Sequence, residues 1–332
     1  YNKDYFNKNL RKKLFKKNNK KDFLEFCREE ISLLLPKSFL EDFDKIKQAI
    51  EVSYFPRKTN KIFTSFNYRK NDFFQIWCAE QRLKGSKYMI FQHGGGYGYG
   101  DFTTDEEYID KISDKFLTWG WKSKNQKFKK FYCTKISNDF NHVPYNTSKI
   151  LLCLHTTPSY SFRPKTSFKN NLDRLKSLQD FKNLSDNIKN FNLTIRYLSR
   201  VNKEYKIAPY EKYFSKKINF DHGEKKFLTI LNNYNLVVHD SFETTFLETL
   251  AYNIPTIVLI RDLKKQIKKS FFYDFEKLKK IKVIHEDYYS VQKMINNKNF
   301  SINDWWFDVK NQFMLEKFRK KFVKKSDNLL KD

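Results

Sequence analysis

The chain has 332 residues, of which 40% are hydrophobic and 18% aromatic, and its formal net charge is +27 at neutral pH. This composition excludes an intrinsically disordered chain and provides enough residues for two domains of ordinary size. The four cysteines are widely spaced, which argues against a zinc site and for a reduced, intracellular protein. The chain has neither a visible secretory signal nor an apolar run approaching the roughly 18 residues of a membrane span.

The excess of lysine and arginine has two interpretations. One is an anionic partner, such as nucleic acid, an acidic membrane face or a phosphorylated substrate. The other is the codon bias of an AT-rich genome, since Lys, Asn, Phe, Tyr and Ile abound while Gly is scarce. The charge clusters near both ends, at 8–21 and 317–325, where cations alternate with apolar residues at roughly helical spacing. Such runs could lie on an anionic membrane surface, although solvated helix faces are commoner.

The first 50 residues are predicted to be helical, with an apolar stripe over 22–35 that Pro36 ends. Strand and helix patterns then alternate. The predicted elements are a strand over 61–66, a helix over 71–85, a strand over 87–92, a helix over 105–113 and a strand over 115–121. A polar stretch over 122–149 is predicted to be a connection between two halves of the chain.

The alternation restarts after this stretch. Strands are predicted over 150–156, 193–199, 217–220, 235–240, 255–260 and 282–287, and helices over 169–191, 224–234 and 243–253. The pattern predicts an α/β protein with two Rossmann-like domains that face each other across a cleft, with helical segments at both ends. The predicted domains are 1–145, with a basic helical start, 146–300, and C-terminal helices over 301–332. Because the chain begins at Tyr1 rather than Met, upstream residues are expected in the full-length protein.

Five of the eight glycines lie in one ten-residue stretch, "FQHGGGYGYG". Glycines at a strand end let backbone N–H groups approach a phosphate, carboxylate or sugar. The residues predicted to do so are Gly94, Gly95, Gly96 and Tyr97. The pattern is neither a Walker A loop nor a GxGxxG loop, so it predicts neither ATP nor NAD. His93, at the strand end, is a candidate general base; the alternative is a tight turn in which His93 caps a backbone carbonyl.

Acidic residues follow the glycines within fifteen positions. Glu106 or Glu107 could deprotonate a hydroxyl if the helix that carries them faced the cleft. Equally, acidic residues at the start of a helix are expected from the helix dipole alone.

A second informative stretch is "VVHDSFETTFLETLAYNIPTIVLI". Its first strand ends at Asp240, and the hydroxyls of Ser241, Thr244 and Thr245 lie where the next helix begins. Amides and hydroxyls at a helix start suit a diphosphate or a nucleotide phosphate. Asp240, Ser241, Thr244 and Thr245 are therefore predicted to bind one. Glu248 lies one turn further on the same side and is predicted to contact a ribose or the sugar. The alternative is a helix that Ser241 simply caps.

Two arginines in the second half are candidate anion ligands. Arg163 and Arg196 lie after or within predicted strands, and arginine makes bidentate contacts with phosphate or carboxylate that lysine cannot make. A solvated role is the alternative for both. Trp305 and Trp306 are predicted to be core residues.

Four stretches together resemble a known family. They are "QHGGGYG", "EEYIDKISDKFLTWGW", "DSFETTFLETLAYNIPTIVL" and "WWFDVKNQFMLEKF". They resemble the LIC12162-like transferases encoded among bacterial surface-carbohydrate genes, in scattered blocks over about residues 35–320. The resemblance implies a GT-B glycosyltransferase whose second domain holds the nucleotide while the first offers the acceptor site. Family members more often carry Asn-Ser where this chain has Ser241-Phe242-Glu243, which leaves the phosphate ligands open.

The resemblance implies transfer of a sugar from a nucleotide donor to a surface glycan or a lipid-linked glycan. It places the donor at the helix start of the second domain and His93 beside the transferred sugar. A CMP-activated nonulosonic acid is the expected donor, with neither a metal nor a cofactor. The expected location is cytoplasmic, or peripheral at an anionic inner membrane, and nucleic acid is not expected as a partner. The alternatives are a CDP-polyol phosphotransferase of similar fold and a non-catalytic basic protein that binds glycans or nucleic acid.

Overall fold

The computed structural model describes residues 6–13, 22–101, 104–136, 148–155, 171–197, 210–214 and 218–326. The chain divides into two compact units, Tyr1–Ile90 and Phe91–Asp332. The domain boundary expected between residues 145 and 146 remains a prediction.

Helices and strands alternate along most of the described chain. The helices are α1 (Lys8–Lys13), α2 (Phe23–Leu34), α3 (Phe43–Glu51), α4 (Asp72–Leu83), α5 (Thr104–Ile112), α6 (Asn171–Asn187), α7 (Phe227–Ile230), α8 (Thr244–Ala251), α9 (Leu263–Gln266), α10 (Phe272–Lys280), α11 (Tyr288–Ile295), α12 (Ile302–Phe307) and α13 (Val309–Phe322). The strands are β1 (Lys61–Thr64), β2 (Lys87–Phe91), β3 (Lys115–Thr118), β4 (Phe128–Lys130), β5 (Lys149–Cys153), β6 (Asn192–Arg196), β7 (Asn219–Asp221), β8 (Leu236–His239), β9 (Thr256–Leu259) and β10 (Ile284–His285). These strands pair in parallel, which confirms the predicted α/β class.

The first unit contains a strand–helix–strand segment. Strand β1 pairs in parallel with β2, from Lys61 opposite Lys87 to Thr64 opposite Ile90. Helix α4 connects them and begins after Asn71, whose side chain accepts a hydrogen bond from the backbone N–H of Phe74. Asn71 is the first residue of the range predicted for this helix, and a side-chain cap of this kind marks where a helix begins.

A buried arginine holds the N-terminal helices of the first unit together. The guanidinium of Arg11 is 1% exposed and makes two hydrogen bonds of 2.7 Å to the carboxylate of Glu41. Its remaining nitrogen donates to the carbonyls of Ser32, Leu33 and Leu35, at the end of α2. Helix ends leave such carbonyls unpaired, so Arg11 supplies the missing donors. The same guanidinium lowers the pKa of Glu41 from 4.5 to about 2.

The second unit contains a six-stranded parallel sheet in the order β10-β9-β8-β5-β6-β7. The first strand in sequence, β5, lies at the centre, with β6 and β7 on one side and β8 to β10 on the other. This is the strand order of a Rossmann-type doubly wound sheet, in which ligands bind where the order reverses, at the carboxyl ends of the strands. In this sheet that point lies between β5 and β8.

The core of this sheet comes from fully buried strands and from the helices packed on them. All four residues of β8 and of β9 are buried, as expected for strands covered on both faces. Trp306 is fully buried and donates from its indole N–H to the carbonyl of Asn253, which follows α8. Its predicted place in the core is confirmed.

The polar stretch over 122–149, predicted to be a connection, contains strand β4. This strand pairs in parallel with β3 and points only Phe128 inward, against Phe116 and Trp121 at ring-centroid distances of 5.1 and 5.9 Å. Its other two residues are exposed lysines. A three-residue edge strand with one inward side chain has too little periodicity to be recognised in the sequence.

The described residues contain neither a membrane-spanning helix nor a metal-binding group of side chains. Within the described ranges, no helix has the length and apolarity needed to cross a bilayer. Within the same ranges, no three His, Cys, Asp or Glu side chains are grouped as a metal site would require.

Candidate functional site

The glycine loop, residues 92–100, is held from behind by Gln92. This side chain is fully buried directly after β2. Its amide nitrogen donates to the carbonyl of Gly94 at 2.8 Å. Its amide oxygen accepts from the backbone N–H of Trp119 and the indole N–H of Trp121, at 2.9 and 2.8 Å. Gln92 therefore fixes the start of the loop, a role that the sequence reasoning did not assign.

The loop packs directly against the beginning of α8. The backbone N–H of Gly95 donates to the hydroxyl of Thr244 at 2.9 Å. A Cβ added to Gly95 would lie 2.6 Å from the carbonyl carbon of Glu243, and one added to Gly94 would lie 2.7 Å from the Thr244 hydroxyl. Both distances are shorter than van der Waals contact, so this close approach requires glycine. The groups that come close to these glycines therefore belong to the protein itself: the Thr244 hydroxyl at Gly94 and the backbone of Glu243 and Thr244 at Gly95.

A buried tyrosine makes a second connection between the loop and the residues before α8. The Tyr99 hydroxyl accepts from the N–H of Gly96 at 2.9 Å and donates to the carbonyl of Phe242 at 2.6 Å. Gly96 has a φ of 89°, which glycine adopts without strain. Burial raises the pKa of Tyr99, so the hydroxyl stays protonated and able to donate. The sequence reasoning did not identify this residue.

Replacing Tyr99 with Phe is expected to lower the free energy of unfolding of the second unit by about 1–3 kcal/mol, because two buried backbone groups lose their partner. Thermal unfolding of the variant measures the loss. Tyr273→Phe is the matched control, since Tyr273 is 67% exposed. Equal stability of the two variants would show that the Tyr99 hydroxyl does not hold the loop.

Glu106 connects the far end of the loop to the segment after α9. Its carboxylate accepts from the N–H of Gly98 at 2.7 Å and pairs with the ammonium of Lys268 at 2.9 Å. Both carboxylate oxygens are thus bonded within the protein. Glu107, the neighbouring candidate, is exposed on α5.

His93 is half-buried at the carboxyl end of β2. It is oriented by Tyr97, one of the residues predicted to bind the substrate. Its Nδ1 lies 3.0 Å from the hydroxyl of Tyr97, and the two rings meet edge to face with centroids 5.3 Å apart. A histidine that acts as a base through Nε2 must carry its proton on Nδ1, and the Tyr97 oxygen can accept that proton's hydrogen bond.

Asp240 and Ser241 lie at the point where the strand order of the six-stranded sheet reverses. The side chain of Asp240 is buried and accepts from the N–H of His155 at 2.9 Å, just after β5. Its own N–H donates to the carbonyl of Cys153 at 3.3 Å. Ser241 is buried, and the cap position of α8 belongs to Glu243, so the alternative in which Ser241 caps the helix is wrong.

Thr245, in the first turn of α8, faces a buried histidine. Its hydroxyl lies 3.5 Å from Nδ1 of His239, whose Nε2 lies 3.2 Å from the hydroxyl of Thr249. Burial lowers the pKa of His239 to about 3, so this imidazole is neutral at physiological pH. The contacts of His239 with Thr245 and Thr249 connect the end of β8 to α8.

Glu248 lies one turn after Thr244 on α8, as the helical spacing predicted. Its side chain is 13% exposed, and Lys135 lies 3.8 Å away. Burial raises the pKa of Glu248, and the nearby ammonium only partly opposes this effect. A carboxylate of raised pKa next to one cation can accept hydrogen bonds from sugar hydroxyls, and it can also exchange a proton.

The two candidate arginines differ in what the structure describes. Arg196 ends β6 and is buried, with its guanidinium 2.5 Å from the carboxylate of Asp221 and 2.8 Å from the carbonyl of Lys225. A substrate anion would have to share this guanidinium with Asp221. Arg163 lies outside the described residues.

The chain is similar to solved structures and matches the model of one protein family. Among solved structures, TarM aligns over 74% of this chain and 50% of its own, with 11% identity and a TM-score of 0.44. The wall teichoic acid polymerase TagF aligns over 73% of this chain and 65% of its own, with 11% identity and a TM-score of 0.36. In these two alignments the chain spans less than two thirds of the other protein's length. A search of curated proteins gave no match. The model of the LIC12162 family transferases matches residues 1–332, and the chain therefore belongs to the LIC12162 family of transferases.

Proposed function

We propose that the chain is a glycosyltransferase that moves a sugar from a nucleotide donor to a bacterial surface glycan. Membership of a transferase family supports group transfer as the reaction class. One observation carries the assignment of the site: the glycine loop is hydrogen-bonded to the start of α8, next to the point where the strand order reverses. Sheets of this order bind nucleotides at that place.

The donor phosphates are proposed to bind between the end of β8 and the first turn of α8. Asp240 and Ser241 lie at this sheet edge, and the amides of Thr244 and Thr245 begin the helix. The N-terminal amides of a helix favour a negative charge. Glu248, one turn further, is proposed to bind hydroxyls of the ribose or of the transferred sugar.

The proposed chemistry is a displacement at the anomeric carbon of the donor. The acceptor hydroxyl oxygen forms a bond to that carbon while the bond to the phosphate oxygen breaks, and the nucleotide leaves with the electron pair. His93 takes the acceptor proton. We prefer His93 to Glu106 as the base because both oxygens of Glu106 are bonded to Gly98 and Lys268. Helix amides and hydroxyls stabilise the departing phosphate, so neither a metal nor a cofactor forms part of the proposal.

The proposal also names a donor and an acceptor. The donor would be a CMP-activated nonulosonic acid and the acceptor a glycan or a lipid-linked glycan at the inner face of the membrane. Thermal unfolding with CMP, UDP and GDP, and with their sugars, tests the donor, because a ligand that binds only the folded state raises the unfolding temperature. Release of CMP together with a glycosylated acceptor supports the proposal. Transfer of a polyol phosphate from a CDP donor would replace it with the phosphotransferase alternative.

Replacing His93 with Ala is expected to lower kcat by about 100-fold or more, with a small change in KM, because a positioned base contributes about 10²–10⁴ to the rate. Initial rates over a range of acceptor concentrations give both constants. Glu107→Gln, at an exposed carboxylate on the neighbouring helix, is the matched control and should retain the rate. A loss in the control as large as that of His93→Ala, or a fully active His93→Ala, would rule out His93 as the base.

A further inference from the structure

Helix α2 exposes its apolar side chains and buries polar ones. Its most buried members are Glu25 at 8% and Ser32 at 6% exposure. Six large apolar side chains of the same helix are exposed, and we call them the apolar surface of α2. They are Phe23 (76%), Leu24 (65%), Phe26 (58%), Ile31 (49%), Leu33 (44%) and Leu34 (75%). Large contiguous apolar surfaces of this kind mark interaction sites rather than ordinary solvent-facing helices.

Contacts at both ends hold the helix in this orientation. Asp22 caps the N-terminus by accepting from the N–H of Glu25 at 2.8 Å. At the other end Arg11 donates to three carbonyls while it pairs with Glu41. Turning the apolar surface inward would move these three carbonyls away from Arg11 and leave its buried N–H groups without their acceptors, which is costly. The exposure of the apolar surface is therefore built into the first unit.

The residues before α2 carry a concentrated positive charge. The run 8–21, "KNLRKKLFKKNNKK", contains eight cations and no acidic residue. Three of its lysines, Lys8, Lys12 and Lys13, are exposed on α1, which packs against α2. An exposed apolar helix next to a group of cations is the combination that binds anionic lipid surfaces.

The basic run at the other end of the chain is built differently. In 317–325 the apolar residues Phe318 and Phe322 are buried, and Arg319 and Lys321 make hydrogen bonds to Asn253 and Asp274. This run therefore contributes its apolar residues to the core of its own unit. Among the described residues, Phe313 is exposed beside Lys317, but the N-terminal helices combine exposed lysines with six exposed apolar side chains on one helix.

We propose that α2 lies in the plane of an anionic phospholipid bilayer, with its apolar surface at the acyl boundary and Lys8, Lys12 and Lys13 of α1 against the lipid phosphates. A bilayer fits better than a second copy of the chain. A symmetric dimer that buried these apolar surfaces against each other would place the exposed lysines of two copies, Lys8, Lys12 and Lys13, at the edge of one interface. The inference names the element that would bring the proposed transferase to a lipid-linked acceptor, but membrane binding does not depend on that activity.

Co-sedimentation of the full chain with lipid vesicles tests the inference. We expect binding to vesicles of phosphatidylcholine with about 30% phosphatidylglycerol, weaker binding to phosphatidylcholine alone, and a loss of binding as salt rises. Phe23→Ser with Leu34→Ser should lower the partition coefficient at least about tenfold, because two exposed apolar side chains no longer insert. The matched control is Val52→Ser with Leu83→Ser, which removes two apolar side chains of the same unit that are at least as exposed.

Each alternative has its own result. Equal binding by the double variant and its control would overturn the proposal. So would loss of binding in Lys317→Gln with Lys320→Gln, accompanied by normal binding of the α2 variant. Concentration-dependent dimers in sedimentation velocity that Phe23→Ser with Leu34→Ser abolishes, without vesicle binding by the parent chain, would assign the apolar surface to a second copy. Unchanged unfolding temperatures of the variants exclude misfolding. Vesicle binding by a chain that turns over no donor would support this inference while contradicting the proposed function.

Discussion

Replacing Gly95 with Ala is expected to destabilise the second unit by about 1–3 kcal/mol, because overpacking a tight contact forces the backbone to move. The added Cβ would lie 2.6 Å from the carbonyl carbon of Glu243 and 2.8 Å from the amide nitrogen of Thr244. Backbone at a helix start cannot rotate away, unlike a flexible side chain. The displacement would also separate the glycine loop from α8, so transfer is expected to fall together with the unfolding temperature.

A double-mutant cycle distinguishes this clash from a general intolerance of the loop. A Cβ on Gly94 would meet only the side-chain hydroxyl of Thr244, at 2.7 Å. Thr244→Ala should therefore relieve the effect of Gly94→Ala more than that of Gly95→Ala, because it leaves the backbone clash at Gly95 in place and also removes the acceptor of the Gly95 N–H. Thermal unfolding of the single and double variants gives the coupling free energies. If Thr244→Ala rescued both glycine variants equally, the contact between Gly95 and the Glu243 backbone would not be the cause.

Removing either partner of the Arg11–Glu41 pair is the second large expected effect. The side chains are 1% exposed, and breaking a buried pair costs about 3 kcal/mol or more because it leaves one charge unmatched. Arg11→Met should cost more than Glu41→Gln, since it also removes the donors to the carbonyls at the end of α2. Hydrogen exchange of peptides that cover α2, with peptides from α4 as reference, measures the local loss.

The double variant, Arg11→Met with Glu41→Leu, tests the origin of that cost. It removes both charges, so it should recover much of the stability that Glu41→Gln loses. The carbonyls at the end of α2 still lack their donors, and recovery should therefore stop short of the parent chain. A double variant whose loss of exchange free energy equals the sum of the losses in Arg11→Met and Glu41→Leu would show that the two groups do not interact.

The same pair gives a pH dependence of known sign. The pKa of Glu41 is lowered from 4.5 to about 2 by the hydrogen bonds from Arg11. A depressed pKa in the folded state contributes stability that is fully present above about pH 4.5 and is lost as the pH falls toward 2. Exchange protection of α2 should therefore fall across this window in the parent chain. Glu41→Gln should show less of this dependence, and an equally steep fall in the variant would exclude Glu41 as its source.

Patterns within a few neighbouring residues predicted the helices and strands that have clear apolar periodicity. Helix α4, with its Asn71 cap, and the buried strands β8 and β9 were found because apolar periodicity and helix caps act over a few neighbouring residues. Strand β4 was missed because one inward Phe128 and two exposed lysines carry no periodic signal. Its pairing with β3 is a long-range event that the stretch itself does not encode.

The glycine loop shows where local reasoning ends. Because glycine is scarce elsewhere in the chain, the glycine loop predicted a close contact with its backbone. The sequence did not indicate which group makes that contact. The structure identifies the start of α8, about 150 residues away in the chain, and adds Gln92 and Tyr99 as the residues that hold the loop. Likewise the spacing of Thr244 and Glu248 placed both on one side of a helix, whereas the neighbour of Glu248, Lys135, became known only from the fold.

The sequence by itself determined the α/β class, the positions of most helices and strands, and the residues that end strands next to glycines or hydroxyls. It did so because backbone conformation follows apolar periodicity, caps and glycine placement within a few residues. Only the tertiary structure decided the strand order that puts Asp240 at the reversal point. Only the tertiary structure decided, too, that Glu106 pairs with Lys268 while Glu107 is exposed. It also decided that the apolar side chains of α2 face outward. These outcomes depend on contacts between residues distant in the chain, whose energies no local pattern records.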